Sequence, residues 1–204
     1  MRRLTFVLSL ATIVLLPQTQ PRAADPRNPD WPCVQIKVPE ISIAAVWAGP
    51  PLDLNNNKWE SDPKLEDLVP RLAARRTPIE QAQKMAAEFV GSGDGKQERG
   101  KLLFAALFDA MNRSRGEVIN GIERYTRHQR EYAEQVRSET LKLRELQDDP
   151  KSDAKQVEQM SEKVEWDTRI FEDRRRTIRY VCEVPVLIEQ RLFAIGRTIQ
   201  QVME

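Results

Sequence analysis

Histidine, cysteine and aromatic residues are scarce in this chain. Its 204 residues include one histidine, His128, and two cysteines, Cys33 and Cys182, and aromatic side chains make up only 6%. The lack of CxxC and CxxCH motifs argues against the common zinc and haem sites. A Ser-His-Asp triad would have to use His128, which lies in the middle of a long charged segment. We therefore predict a protein that is not an enzyme, with no catalytic residues, no metal ligands and no cofactor.

One oxygen-rich segment matches the beginning of a calcium-binding loop. Residues 53–57 follow the D-x-N-x-N pattern with which such loops open. The match fails further along, because Lys58 stands where glycine is required and Lys64 replaces the bidentate glutamate. We interpret this segment as a solvated turn.

The chain also lacks an excess of charge of either sign. Charged residues make up 31% of the sequence, yet the formal net charge is only +1. Proteins that bind nucleic acid usually carry a strongly basic surface, so we predict no nucleic-acid partner. Abundant charge that nearly cancels is typical of long solvated helices.

A single apolar run occurs, and it lies at the beginning of the chain. Residues 4–16 carry no charge and follow Arg2 and Arg3. A basic start, a short apolar stretch and small residues near Ala24 predict a secretory signal peptide over residues 1–24. The run is shorter than the roughly 20 residues that span a bilayer. Arg22 makes the cleavage site imperfect, so an uncleaved anchor remains the alternative to a periplasmic or secreted, not membrane-spanning, protein.

The two cysteines both follow the predicted signal peptide. An even number of cysteines in an oxidising compartment predicts one disulfide bond, between Cys33 and Cys182. The alternative is a reactive or metal-binding thiol.

Residues 25–62 form a region rich in proline and tryptophan. Six prolines exclude a long helix, and residues 34–38 alternate apolar and polar side chains as an extended segment does. Three of the four tryptophans, Trp31, Trp47 and Trp59, occur here, and disordered segments are poor in aromatic residues. We predict an ordered, extended arm that lies along the helices with its tryptophans docked.

Residues 63–95 are predicted to form two short helices and a glycine hinge. Pro63 suits the first turn of a helix that breaks or kinks near Pro70. Thr77 and Glu80 form a capping box at the beginning of the second helix. Three glycines within residues 91–95 end that helix and predict a flexible hinge.

Residues 96–204 are predicted to form a long antiparallel helical hairpin. Apolar residues recur at alternating steps of four and three in two segments, 97–148 and 152–202, which is typical of a coiled-coil seam. The turn near Pro150 is short enough to require an antiparallel return. Facing residues should then have numbers that add up to about 300, which places Gln129 beside Phe171. The complete fold prediction is all-α: the hairpin, two short helices and the extended arm.

Arginine is clustered in two stretches that this hairpin brings side by side. Residues 113–130 and 169–180 each contain five arginines against two acidic residues, whereas residues 131–168 contain eleven acidic and six basic residues. The planar guanidinium suits carboxylate and phosphate groups. The predicted anion- or partner-binding residues are Arg124, Arg127, Arg130, Arg175, Arg176 and Arg179.

Two hypotheses for function follow. The first is an exported, non-enzymatic helical protein that acts through helix-face contacts as an envelope scaffold, adaptor or chaperone-like binder. Its partner would be an envelope protein or an anionic envelope surface, and assembly into a homo-oligomer is left open. The alternative is a small-ligand or metal-binding module with a pocket between the tryptophan-rich arm and the helices.

Overall fold

Helices account for most of the protein. The computed structural model describes residues 27–54 and 62–204. Its helices are α1 (Ile43–Val46), α2 (Pro63–Ala73), α3 (Ile79–Val90), α4 (Lys96–Asp148) and α5 (Ala154–Met203). Within the described ranges there is no strand. The predicted all-α fold with a long helical hairpin is confirmed. The signal peptide, Trp59 and the asparagines of the calcium-like segment lie outside the described residues.

The main core lies at the open end of the hairpin, where α4 begins and α5 ends. There α2 and α3 pack against both long helices. The large, fully enclosed side chains of this core come from all four of these helices: Leu65, Leu72, Val90, Leu103, Phe104, Leu107, Met111, Leu192, Ile195 and Ile199. Each contributes about 1.5–3 kcal/mol by leaving water. We call α2, α3 and residues 96–122 and 182–203 of the long helices the base.

The arm contains one helical turn, α1, that the sequence analysis did not predict. The side chain of Ser42 does not cap this turn, so local hydrogen bonding gives it little support. Its support comes from packing, because Val46 and Trp47 are buried against the base. The Trp47 ring stacks on Phe104 with 4.3 Å between ring centroids.

The two short helices differ from their predicted boundaries in physically instructive ways. Asp62 caps α2 and accepts a hydrogen bond from the Lys64 N–H at 2.9 Å. A break at Pro70 does not occur, since α2 continues to Ala73 with Pro70 inside it; a kink at Pro70, the other predicted outcome, stays a prediction. The capping box at Thr77 is also wrong, since α3 begins at Ile79 with Pro78 as its uncapped N-terminal neighbour. Burial of Leu72 and Val69 holds the last turn of α2 despite the missing proline donor.

The glycine segment between α3 and α4 is fastened to the base. Gly91, Gly93 and Gly95 all have positive φ angles, of 62°, 77° and 79°, which other residues rarely adopt. The Arg99 side chain donates to the backbone oxygens of Val90, Ser92 and Asp94 at 2.7, 3.3 and 3.1 Å. One guanidinium therefore holds the whole turn, whereas the sequence alone suggested a flexible hinge.

The hairpin keeps one register over its full length. Side-chain contacts join Phe104 to the site of Gly196, Tyr125 to Arg174, Gln129 to Phe171, Tyr132 to Asp167, and Glu139 to Lys163. In every pair the two residue numbers add up to close to 300, as predicted. With 53 residues at 1.5 Å per residue, helix α4 is about 80 Å long.

Beyond the base, the two long helices continue as a two-helix stalk made of residues 123–181. None of these described residues is fully buried, because two helices alone cannot enclose a side chain on all sides. From Glu123 to the end of α4 the stalk extends about 40 Å. The stalk is therefore mostly surface.

Candidate binding surface

The arm is attached to the hairpin where the base meets the stalk. Cys33 and Cys182 are bonded, with 5.5 Å between their Cα atoms. Trp31 is buried in a small second core with Ile119 and Ile122. The arm and both long helices therefore meet at one point. The predicted docking is observed for Trp31 and Trp47, and Trp59 lies outside the described residues.

Two of the six predicted arginines bind the arm. Arg127 donates to a carboxylate oxygen of Asp30 at 2.8 Å, and Arg130 pairs with the other oxygen of the same group. The hydrogen bond from Arg127, with that from Arg130, holds the pKa of Asp30 below its ordinary value against the opposing effect of burial. These arginines lie beside each other, and an acidic residue of the same chain occupies both.

The other four predicted arginines are exposed on the outside of the hairpin. Arg176 pairs with Asp173 at 2.6 Å, and Arg175 lies 3.6 Å from Glu172. Arg124 and Arg179 have no carboxylate partner among the described residues. The arginine-rich region is thus partly neutralised by its own neighbours.

Arg115 has a structural role that the sequence analysis missed. Only 4% of it is exposed, and its guanidinium donates to the backbone oxygens of Val38 and Pro39 at 2.6 and 3.2 Å. Its other terminal nitrogen lies 2.6 Å from Glu189. The signal was present in the sequence, because Arg115 occupies a seam position in the most apolar part of α4. The sequence does not show that the partners of Arg115 are backbone oxygens of the distant arm.

A polar network crosses the seam halfway along the stalk. Lys163 contacts Glu139 at 2.5 Å and Asp167 at 2.6 Å, and the Tyr132 hydroxyl donates to Asp167 at 2.8 Å. Hydrogen bonds from Lys163 and then Tyr132 lower the pKa of Asp167, and the same contacts with Asp167 and Glu139 raise that of Lys163. Opposite charges thus stabilise each other. The network fixes the alignment of the helices and holds its charged groups in fixed partnerships.

A groove of about 630 Å³ lies between the arm and α5. One wall is arm residues 32–35, and Ile178, Val186 and Leu187 of α5 supply apolar surface. Arg175 and Arg179 line one end of the groove, and Glu183 lines it one helical turn further along α5. The alternative hypothesis places a pocket between the tryptophan-rich arm and the helices, and this groove lies between those elements. This groove has no tryptophan in its lining, and its polar lining comes from Arg175, Arg179, Glu183 and two glutamines, Gln35 and Gln190.

Two further properties concern metals and membranes. Among residues 27–54 and 62–204, no three histidine, cysteine or carboxylate side chains converge as metal ligands do. None of the helices in those ranges is both long enough and apolar enough to cross a membrane.

Comparisons with protein-family models, curated proteins and solved structures found no match to this chain.

Proposed function

We propose that this chain is an exported, non-enzymatic helical protein that acts as an envelope scaffold, adaptor or chaperone-like binder. The observation that carries the proposal is the stalk, which presents two long helix faces and encloses none of its own side chains. Such a surface supports contacts with another macromolecule more readily than it supports chemistry on a small substrate. The site of action is the periplasm or the extracellular space, after cleavage near Ala24.

Two apolar side chains on the stalk support a protein partner. Trp166 is 61% exposed and Leu141 is 52% exposed, in a part of the chain whose net charge is −5. Exposed aromatic side chains are enriched among the residues that dominate binding energy in protein interfaces. We therefore place the main partner contact on the distal stalk.

Site-specific photo-crosslinking in intact cells tests this proposal. A photoreactive phenylalanine analogue at Trp166 or Leu141 should give discrete adducts with an envelope protein. The same analogue at Lys84, an exposed position on α3, serves as the control. The proposal fails if the stalk positions give no adduct, or if fractionation places the protein in the cytoplasm.

The exposed arginines support an additional contact with an anionic envelope surface. Arg175, Arg176 and Arg179 are exposed, and Arg179 has no carboxylate partner among the described residues. Exposed positive charge raises the local concentration of anions. Replacing all three with serine should reduce retention on anionic liposomes and on envelope extract. The retention of the parent protein should also fall as salt is raised, since the Debye length is about 8 Å at 0.15 M. Unchanged retention on every surface contradicts this contact.

The groove beside the arm favours a second candidate function, binding of a small ligand. Its volume of about 630 Å³ falls within the range of about 300–1,000 Å³ that is usual for ligand sites. A ligand that binds there should raise the melting temperature of the parent protein, and a Val186→Trp variant that fills the groove should abolish the shift. If a broad small-molecule library, tested with and without divalent metals, produces no shift, this candidate is excluded.

A further inference from the structure

A second stripe of residues runs along α5 beside the seam. Its members also follow alternating steps of four and three: Trp166, Ile170, Asp173, Thr177, Tyr180, Val184 and Leu187. We call these seven residues the second stripe. Trp166, Tyr180 and Leu187 are 61%, 70% and 42% exposed. The stripe is about 32 Å long at 1.5 Å per residue. Exposed apolar side chains in one line along a helix mark a surface on which another helix can pack.

The same face of α5 already packs against helices inside the base. Arg191 and Ala194 continue the second stripe by the same steps. The Arg191 side chain donates to the Leu72 backbone oxygen of α2 at 2.6 Å, and Gln83 of α3 donates to that of Ala194 at 3.3 Å. The arm joins α5 on another side, through Cys182. The exposed part of the stripe therefore extends an established helix-packing surface on which no helix of the described residues lies.

The second stripe has the same character when it is read in either direction from Thr177. Each residue on one side of Thr177 matches one on the other side, with a polar pair first, then an apolar pair and an apolar end: Asp173 and Tyr180, Ile170 and Val184, Trp166 and Leu187. Two antiparallel copies would therefore place apolar residues on apolar residues. They would also bring the Tyr180 hydroxyl, which has no hydrogen-bond partner among the described residues, to the carboxylate of Asp173. A surface that complements itself under a two-fold rotation is what a symmetric dimer requires.

The charges that border the stripe are compatible with the same rotation. It brings Arg169 of one copy to Glu183 of the other, twice in each dimer. Within its own chain, Arg169 contacts Glu165 through one nitrogen at 2.9 Å, which leaves further donors of the guanidinium available. Arg176 lies near the axis in both copies, and Asp173 of the same chain pairs with it at 2.6 Å.

We propose that two copies of this chain associate through the second stripe, with their α5 helices antiparallel and Thr177 on the two-fold axis. A foreign amphipathic helix would bury the same apolar residues, but the two-fold pattern favours a second copy. The inference goes beyond the proposed function. Trp166 is buried between the two copies, and Leu141, on the outer side of α4, stays accessible to an envelope protein.

Sedimentation equilibrium of the full exported chain tests the association. The contact is short, so we expect a dissociation constant of roughly 10–100 μM. At about 1 μM nearly all of the chain is then monomeric, and the properties of a single copy are measured there.

Matched variants locate the contact. Tyr180→Glu places a second carboxylate beside Asp173 of the other copy and should weaken association at least about ten-fold. Ile36→Glu changes a side chain of similar exposure, 73%, on the arm and should have no effect. Equal melting curves at about 1 μM establish that both variants fold like the parent.

Chemical crosslinking tests the position of the axis. A Thr177→Cys variant treated with a short bismaleimide should give a covalent dimer, because the two introduced thiols meet at the axis. In the same dimer, the thiols of a Glu165→Cys variant would lie about 36 Å apart and should give none.

Charge reversal tests the antiparallel orientation. Arg169→Glu and Glu183→Arg should each weaken association about three-fold or more, because each places like charges together twice. The double variant Arg169→Glu/Glu183→Arg should restore the association of the parent.

Three results would overturn the inference. These are a chain that stays monomeric at about 500 μM, a crosslink at Glu165→Cys in place of Thr177→Cys, or a double variant that associates no better than the single ones. Photo-crosslinking through Leu141 is independent of these measurements. Adducts of Leu141 and Trp166 with an envelope protein from a chain that stays monomeric would refute only the dimer and leave the proposed function standing.

Discussion

Individual arginines hold the connections between the elements of this protein. The last carbonyl groups of a helix have no partner within it and need another donor. Arg99 donates to Val90, the last residue of α3, at 2.7 Å, and Arg191 donates to Leu72 in the last turn of α2 at 2.6 Å. Desolvation lowers the pKa of Arg191, but the guanidinium remains charged at physiological pH. Both residues thus complete the ends of helices from elsewhere in the chain.

Among these arginines, replacing Arg115 should lower the free energy of unfolding the most. Arg115→Met keeps the bulk of the side chain but leaves the Val38 oxygen and Glu189 without their donor. We expect the free energy of unfolding to fall by about 2–4 kcal/mol, measured by urea denaturation. Arg113→Met, two residues earlier, removes only an exposed pair with Asp109 and should cost under about 1 kcal/mol. Equal losses for the two variants would contradict the role assigned to Arg115.

Two glycines inside the long helices should respond in opposite ways to alanine. A Cβ atom at Gly196 would lie 2.6 Å from the buried Phe104 ring and 3.1 Å from the Val46 backbone oxygen. Gly196→Ala should therefore destabilise the protein by about 1–3 kcal/mol. Gly116 has nothing within 4 Å of that position, so Gly116→Ala should stabilise it by about 0.5–1 kcal/mol. Urea denaturation measures both, and a shift of the same sign in the two variants would refute this packing.

Asp30 should make the attachment of the arm sensitive to acid. Because Arg127 and Arg130 lower its pKa in the folded state, its contribution is complete above the unfolded value of about 4 and is lost as pH falls through the folded value. Asp30→Asn should lower the melting temperature at pH 7, and the difference from the parent should shrink towards pH 3. Asp67→Asn, which alters an exposed pair with Arg71, should show no such convergence. If the difference in melting temperature between Asp30→Asn and the parent were the same at every pH, the ion pairs of Asp30 with Arg127 and Arg130 would not stabilise the folded protein.

At the level of the helices, the two helices of the stalk should stay paired in solution. Gln135 and Glu165 are exposed positions whose numbers add up to 300. Spin labels at these positions should give one short distance, on the scale of the 8–10 Å between packed helix axes plus the label tethers. A second population of longer distances between the two labels, near twice the distance from the labels to the turn, would show that the hairpin opens, as it would in a domain-swapped dimer.

The long helices were predictable because their signal is redundant. The seam repeats the same apolar spacing many times, so single exceptions such as Gln129 or Asp167 do not hide it. The arm was harder, because its conformation depends on distant partners. Nothing local indicates that Asp30 meets Arg127, or that Gln35 and Lys37 turn inward and leave Ile36 exposed.

The candidate site could be predicted only in part for the same reason. Composition pointed to the arginines as a group, and their binding of a partner stays a prediction. The structure divides them between binding of the arm and exposure to solvent. The groove requires the arm and α5 to lie at a particular separation. The Cys33–Cys182 link and the docking of Trp31 were predictable, but the separation they leave between the arm and α5 depends on three-dimensional packing that the sequence pattern does not give.

The molecule as a whole depends on one covalent link between regions distant in sequence. Cys33 and Cys182 are 149 residues apart, and closing so long a loop restricts the unfolded chain by about 4–5 kcal/mol. The parent protein should lose several kcal/mol of stability when a reductant is added to a urea titration. The Cys33→Ser/Cys182→Ser variant should have the same free energy of unfolding as the reduced parent, and the reductant should not change it. If reductant leaves the parent unchanged, the two thiols are not joined in solution.

The continuous register of α4 and α5 makes the reach of the tip independent of the rest of the molecule. Deleting one heptad from each helix within the stalk would remove about 10 Å while every remaining residue kept its facing partner. The base would be untouched, because its buried residues all lie before Glu123 or after Val181. The distance between the tip and the groove is thus adjustable in steps of seven residues, as the spacing between two attachment points on a partner would require.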